Sequence, residues 1–89
     1  MEAITSILDK YPHIYVLVDE VYNFVTFEND HVSFASLGNN YAKTITVYSA
    51  GKLFCCTGYK IGWSIGPAEI TRVSSIYHSV AYDIVSRPT

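Results

Sequence analysis

A chain of 89 residues with a net charge of −2 has room for one small domain. Its six basic residues are scattered, so it lacks the cationic stripe of a nucleic-acid binder, and no apolar run approaches the ~20 residues of a membrane span. Eight Tyr, four Phe and one Trp in a sequence that is 49% hydrophobic give more apolar surface than the polar residues cover. A chain this short buries a small share of its surface, so the excess points to a portion of a larger core or a subunit that needs a partner.

The N-terminal Met1-Glu-Ala-Ile-Thr5 lacks the basic and apolar regions of a secretory signal. Residues Met1 to Tyr11 read as a helix, with Ile4, Ile7 and Leu8 on one face. Pro12 ends it, because the residue before proline avoids the helical region. Ile14-Tyr-Val-Leu-Val18 is a continuous apolar run of the kind that is covered on both faces in a parallel sheet. It stops at Asp19-Glu20. Val21 to Phe27 is irregular, and Glu28-Asn-Asp-His31 is a polar turn.

Ser33 to Leu37 leads into the loop signal Gly38-Asn-Asn40, and β-branched Thr44-Ile-Thr-Val-Tyr48 reads as the second strand. Gly62 to Ile65 reads as a third strand, ended by Gly66-Pro67. Pro67 suits the first turn of a helix with Glu69 near its positive end, and Ile70, Val73, Ile76, Tyr77 and Val80 stripe a helix over Ala68 to Tyr82. The connection between the second and third strands has no room for a crossover helix, which makes that pair antiparallel; the first and second can be parallel. The expected fold class is α/β, a mixed sheet with flanking helices.

Between the last two strands lies Ser49-Ala-Gly-Lys-Leu-Phe-Cys-Cys-Thr-Gly-Tyr-Lys-Ile-Gly-Trp63. Two lysines among glycines and hydroxyls point to an anion site or a reactive amine, and Phe54, Ile61 and Trp63 mark the segment as buried or half-buried. Cys55 and Cys56 are adjacent, not in the C-x-x-C spacing of a metal or redox motif, and read as small apolar filler. Free thiols fit a reducing compartment, so a cytoplasmic or mitochondrial location is expected. Asp19 stands at the carboxyl end of a strand, where open α/β sheets bind ligands, or simply caps a turn.

Two chemistries compete for these residues. A phosphate loop of the G-x-x-x-x-G-K-[ST] type would need glycine at position 46 and a hydroxyl at position 53; the chain has Thr46 and Leu53. A nucleophilic Lys52 would need apolar surroundings and a nearby cation to hold its amine unprotonated part of the time. Phe54, Trp63 and Lys60 are the candidates for those roles. His13, His31 and His78 do not cluster in sequence and read as surface or satisfied histidines.

Val18-Asp-Glu-Val-Tyr22, followed by Ser49-Ala-Gly-Lys-Leu-Phe54 and Thr57-Gly-Tyr-Lys-Ile-Gly-Trp63, resembles the cofactor site of fold type I pyridoxal-phosphate-dependent aminotransferases, class I and II. Within them it is most similar to the kynurenine aminotransferase and cysteine-S-conjugate β-lyase group. The resemblance covers residues 1–89 as a middle portion of the large, cofactor-binding domain. It implies that Lys52 forms the Schiff base with pyridoxal 5′-phosphate and moves the substrate Cα proton. Asp19 would pair with the ring nitrogen, Tyr22 would bond the phenolic oxygen, and Ser49 and Lys60 would hold the phosphate.

Lysine at position 60, where relatives carry Arg or Lys, is a point charge without the bidentate fork of arginine. Tyr59 replaces a common tryptophan. The family's upstream phosphate loop, stacking aromatic and asparagine and its downstream carboxylate-binding arginine have no counterpart here; Arg72 and Arg87 stand outside the matching motif. The resemblance implies amino acid and 2-oxo acid substrates, a homodimer at full length, and neither nucleic acid nor membrane as a partner. β-Elimination on cysteine conjugates, or a truncated chain that keeps the motifs without activity, are the alternatives.

Overall fold

The structure, a computed structural model, describes the backbone of residues 1–81 and the side chains of residues 1–78. The expected helix end at Tyr82, the side chain of Val80 and the terminal Ser86-Arg-Pro-Thr89 lie outside the described residues. Three strands form one sheet in the order β1-β2-β3: β1 is Val16–Asp19, β2 is Thr44–Ser49 and β3 is Gly62–Ile65. β1 and β2 are parallel, with Val16 opposite Thr44 and Asp19 opposite Val47. β2 and β3 are antiparallel, with Tyr48 opposite Trp63 and Ser49 opposite Gly62. The mixed α/β sheet read from the sequence is therefore the observed one.

The element ends differ from expectation for local reasons. Helix α1 spans Glu2–Leu8, three residues short of Tyr11. The chain tightens first: the N–H groups of Lys10 and Tyr11 bond the carbonyls of Ile7 and Leu8, an i→i+3 pattern that closes a helix before proline. β1 starts at Val16 rather than Ile14, because its ladder can begin only where β2 begins, and the Ile14 N–H is already spent on the Tyr11 carbonyl. Within the connection that has no room for a crossover helix, Ala50–Leu53 forms a single helical turn, α2. The last helix, α3, is Ala68–Ala81; the Pro67 carbonyl accepts the Ile70 and Thr71 N–H groups, as the residue flanking a first turn does.

Strand alternation assigns side chains to two faces. Val16, Val18, Thr44, Thr46, Tyr48, Trp63 and Ile65 share one face. On it, the 3₁₀ turns Phe34–Ser36 and Asn40–Lys43 bury Phe34, Asn40, Thr44 and Thr46. This core is mostly polar, and it is bonded: the Asn40 side-chain amide donates to Thr5 Oγ1 (2.9 Å) and the Phe34 carbonyl (3.2 Å), while Thr44 Oγ1 donates to the Asn40 carbonyl (2.6 Å).

The other face carries Leu17, Asp19, Ile45, Val47, Ser49 and Ser64, and it is largely open. Leu17 is 70% exposed, so the two-sided cover expected for the first strand is not supplied by the described residues. Neither α1 nor α3 packs broadly on the sheet. The result is a plate 14 Å thick across its shortest axis.

Candidate functional site

Because β1 and β2 run parallel, both deliver their carboxyl ends to one edge of the plate. Asp19 ends β1 and Ser49 ends β2, on the same face; Asp19 faces Val47, so Ser49 is its diagonal neighbour. The chain after Ser49 enters α2 at once, which sets Lys52 at that same edge. After Asp19 it turns through residues 20–24, with the Asn23 N–H on the Glu20 carbonyl and the Val25 N–H on the Tyr22 carbonyl. This turn brings Tyr22 beneath Lys52, whose Nζ lies 5.8 Å from the ring centroid, within range of a cation–π contact.

Beside α2 an open cleft of about 330 Å³ is lined by Ser49, Lys52, Thr57, Lys60, Ile61 and Gly62. Two ammonium groups and two hydroxyls thus surround one space. Glycine is required twice. A Cβ on buried Gly51 would stand 2.8 Å from the Thr57 Cα, so only glycine lets the 57–59 turn close against α2. A Cβ on Gly62 would meet the Tyr48 carbonyl oxygen at 2.8 Å. The 3₁₀ turn Thr57–Tyr59 ends at Lys60 in the left-handed region, φ 55°, which is costly for a residue with a Cβ. Cys55, φ 53°, is the other such non-glycine residue among those described.

All five site residues read from the sequence reach this edge. Ser49, Lys52 and Lys60 share the cleft, Tyr22 touches Lys52, and Asp19 occupies the adjacent strand end. Asp19 Oδ1 also accepts the Val21 N–H at 3.2 Å, so the turn-capping role weighed as its alternative is present as well. The apolar surroundings expected for Lys52 are not assembled. Lys52 and Phe54 are exposed, and Trp63 stacks on Tyr48 instead, with centroids 5.6 Å apart. The expectation that Phe54, Ile61 and Trp63 are buried or half-buried fails: Trp63 lies on the edge strand β3, Ile61 just before it and Phe54 at the end of α2, and all three are exposed among the described residues.

Glu20 was read only as the end of a strand, yet it anchors the site. Its side chain is 4% exposed. One carboxylate oxygen accepts the Phe34 N–H at 2.9 Å; the other accepts the Tyr48 hydroxyl at 3.1 Å and faces His31 Nε2 at 3.2 Å. Burial pushes this carboxyl up, but the Phe34, His31, Ser33 and Tyr48 hydrogen bonds outweigh it and hold it below the ordinary value. Burial and the Glu20 charge together push the Tyr48 hydroxyl up. Glu20 therefore ties the β1 end bearing Asp19 to the β2 end bearing Ser49. His31 is satisfied by this carboxylate, as one of its two expected readings had it. A buried acid beside a strand end leaves no mark in sequence until the turn that satisfies it is known.

Replacement of Glu20 by glutamine leaves one acceptor for several donors. It should cost about 1–3 kcal/mol of stability near neutral pH. With its folded pKa depressed, Glu20 stabilises the fold above its ordinary value of 4.5, and that contribution is lost as pH falls through the lowered value. Denaturant unfolding of the full-length parent and Glu20→Gln should therefore show a gap that narrows below about pH 4.5. A gap independent of pH would show that the charge is immaterial.

The chain matches the family aminotransferase class I and II over residues 1–88, and it belongs to that family. Kynurenine–oxoglutarate transaminase of Dictyostelium discoideum is 40% identical over the whole chain, which spans 20% of that protein. Human kynurenine–oxoglutarate transaminase 1 is 36% identical over 81% of the chain and 17% of its own length. Among solved structures, N-succinyldiaminopimelate aminotransferase from Mycobacterium tuberculosis superposes with a TM-score of 0.71 at 38% identity, covering 83% of this chain and 20% of that one. The chain thus spans about a fifth of the relatives it matches. No helix among the described residues is long and apolar enough to cross a membrane.

Proposed function

We propose that this segment is the Schiff-base portion of a pyridoxal-phosphate-dependent aminotransferase that moves an amino group from an amino acid to a 2-oxo acid. The observation that carries the reading is the gathering of Ser49, Lys52, Thr57 and Lys60 around one cleft, at the strand edge that also bears Asp19 and Tyr22. This donor set fits pyridoxal phosphate: cations and hydroxyls for a phosphate, an amine for an aldehyde, a carboxylate for a ring nitrogen. When bound, that group supplies an electrophilic aldehyde and a ring that accepts electron density.

The chain's own residues then divide the work. Lys52 would hold the aldehyde through its Nζ and would carry the proton of the substrate Cα. The Asp19 carboxylate keeps a proton on the ring nitrogen. Tyr22, already against Lys52, donates its hydroxyl to the phenolic oxygen. Ser49, Thr57 and Lys60 bind the phosphate; the Thr57 hydroxyl is an addition that the fold makes to the residues read from sequence. The relatives' names favour kynurenine as donor and oxoglutarate as acceptor; the motif resemblance extends the donor to another aromatic or sulfur-containing amino acid or glutamine, in a full-length protein that acts as a homodimer.

The phosphate assignment predicts a contrast between two ligands. In the full-length protein, Lys60→Ala and Ser49→Ala should each weaken pyridoxal phosphate by roughly tenfold or more, since a hydrogen bond to a charged group is worth about 1.5–3 kcal/mol. Pyridoxal, which lacks the phosphate, should bind parent and variants alike. Equal losses for both ligands, measured by fluorescence titration, would remove the phosphate from this cleft.

A further inference from the structure

Cys55 and Cys56 lie in the turn that joins α2 to the Thr57 side of the cleft, and the proposed chemistry uses neither. Both are free thiols; Cys55 is exposed and Cys56 is half-buried. Cys55 sits in the left-handed region, φ 53°. Cys56 is held by two contacts to α2: its N–H bonds the Gly51 carbonyl at 3.0 Å, and its Sγ lies 3.5 Å from the Ala50 carbonyl oxygen. The Ala50 carbonyl also accepts the Phe54 N–H at 2.8 Å. The turn is thus fastened to the two residues that precede Lys52.

We propose that Cys55 and Cys56 form a reversible two-electron redox site, whose closure to a disulfide unfastens this turn from α2. The oxidant is a small disulfide such as oxidised glutathione. One thiol, deprotonated, attacks a sulfur of the oxidant, and the other half leaves as a thiolate. The second cysteine thiolate then attacks the mixed disulfide and expels the remaining half. Two cysteine thiols lose two electrons and two protons, and one oxidised glutathione becomes two reduced ones.

Geometry dictates the consequence. Adjacent Cα atoms across a trans peptide are about 3.8 Å apart, shorter than the usual span of about 4.4–6.8 Å for bridged cysteines. The ring can close only if the intervening peptide and its flanking dihedrals rotate. Cys56 Sγ must leave the Ala50 carbonyl, and the Cys56 N–H must leave Gly51. A disulfide strained in this way is readily reduced, which makes the step reversible. The effect on anion binding rests on the cleft reading above, since Lys52 and Thr57 flank the turn; the thiol chemistry does not.

The test uses the full-length protein, purified reduced and exposed to oxidised glutathione. After an acid quench and non-reducing tryptic digestion, residues 53–60 form one peptide holding both thiols. It should be lighter by two hydrogens than the reduced peptide and be restored by dithiothreitol. Cys55→Ser or Cys56→Ser should retain a glutathione adduct on the remaining thiol instead. Hydrogen exchange at the Cys56 amide should quicken roughly two- to tenfold in the oxidised protein, as loss of its bond to the Gly51 carbonyl requires. A lasting glutathione adduct on Cys55 of the parent would overturn the proposal, as would a closed disulfide with unchanged exchange. Failure of inorganic phosphate to bind either form counts against the cleft alone, because mass and exchange still decide the thiol chemistry.

Discussion

Lys52→Ala in the full-length protein should lower amino transfer by about 10²–10⁴-fold or more, the contribution of a positioned general base alone, while Lys43→Ala should leave turnover near that of the parent. The two lysines have separate environments. Lys43 precedes the first residue of β2, at the far end of the sheet from Ser49, and its Nζ is paired with Asp9 at 2.8 Å. Lys52 sits one helical turn past the carboxyl end of β2, over the Tyr22 ring. Lys60→Ala should behave differently again, with weaker cofactor binding and turnover recoverable at high cofactor concentration. Single-turnover kinetics at saturating pyridoxal phosphate separate the three; comparable rates in Lys52→Ala and parent would remove Lys52 from the chemistry.

The second large effect concerns residues 1–89 in isolation, which should neither fold cooperatively nor catalyse amino transfer. The accessible surface is 7244 Å², against about 5,200 Å² for a folded monomer of this mass. The radius of gyration is 15.3 Å, where a compact domain of this length has about 12 Å. Among the described residues Phe34 is the one hydrophobic side chain in the core, while Leu17, Phe24, Phe27, Phe54 and Tyr77 are exposed. Ordering each residue costs about 1–2 kcal/mol of backbone entropy, which so small a core does not offset. β1 and β3 also each leave one edge unpaired, a template for association. Amide spectra of residues 1–89 should show poor dispersion, and gel filtration should show aggregates; a dispersed monomer spectrum would contradict this.

Much of the fold was legible because short-range rules decide it. Thr44–Tyr48 is β-branched and sits in the sheet centre, and Gly66-Pro67 separates β3 from α3 with the bounds that proline and glycine impose. The antiparallel pairing followed from connection length, which left the first pair free to be parallel, as it is. What was not legible depends on partners distant in sequence. The Ile14–Val18 run reads as doubly buried, yet nothing among the described residues covers Leu17. Phe54 and Trp63 read as the lining around a lysine, yet Phe54 at the end of α2 and Trp63 on an edge strand are both in the open. Glu20 is one of two consecutive acids, and only the return of residues 31–34 and of Tyr48 distinguishes it from Asp19. The five candidate site residues come from the motif resemblance; that they share one edge depends on the parallel register of β1 on β2.

The most direct measurement is chemical mapping of the reactive amine. The full-length protein is loaded with pyridoxal phosphate, reduced with borohydride and digested, and the modified peptide is sequenced by mass spectrometry. A pyridoxyl adduct on Lys52 is expected, with cleavage lost between Lys52 and Leu53 and the adduct absent from Lys52→Ala. An adduct confined to Lys43 or Lys60, or one that persists at the same level in Lys52→Ala, would contradict it.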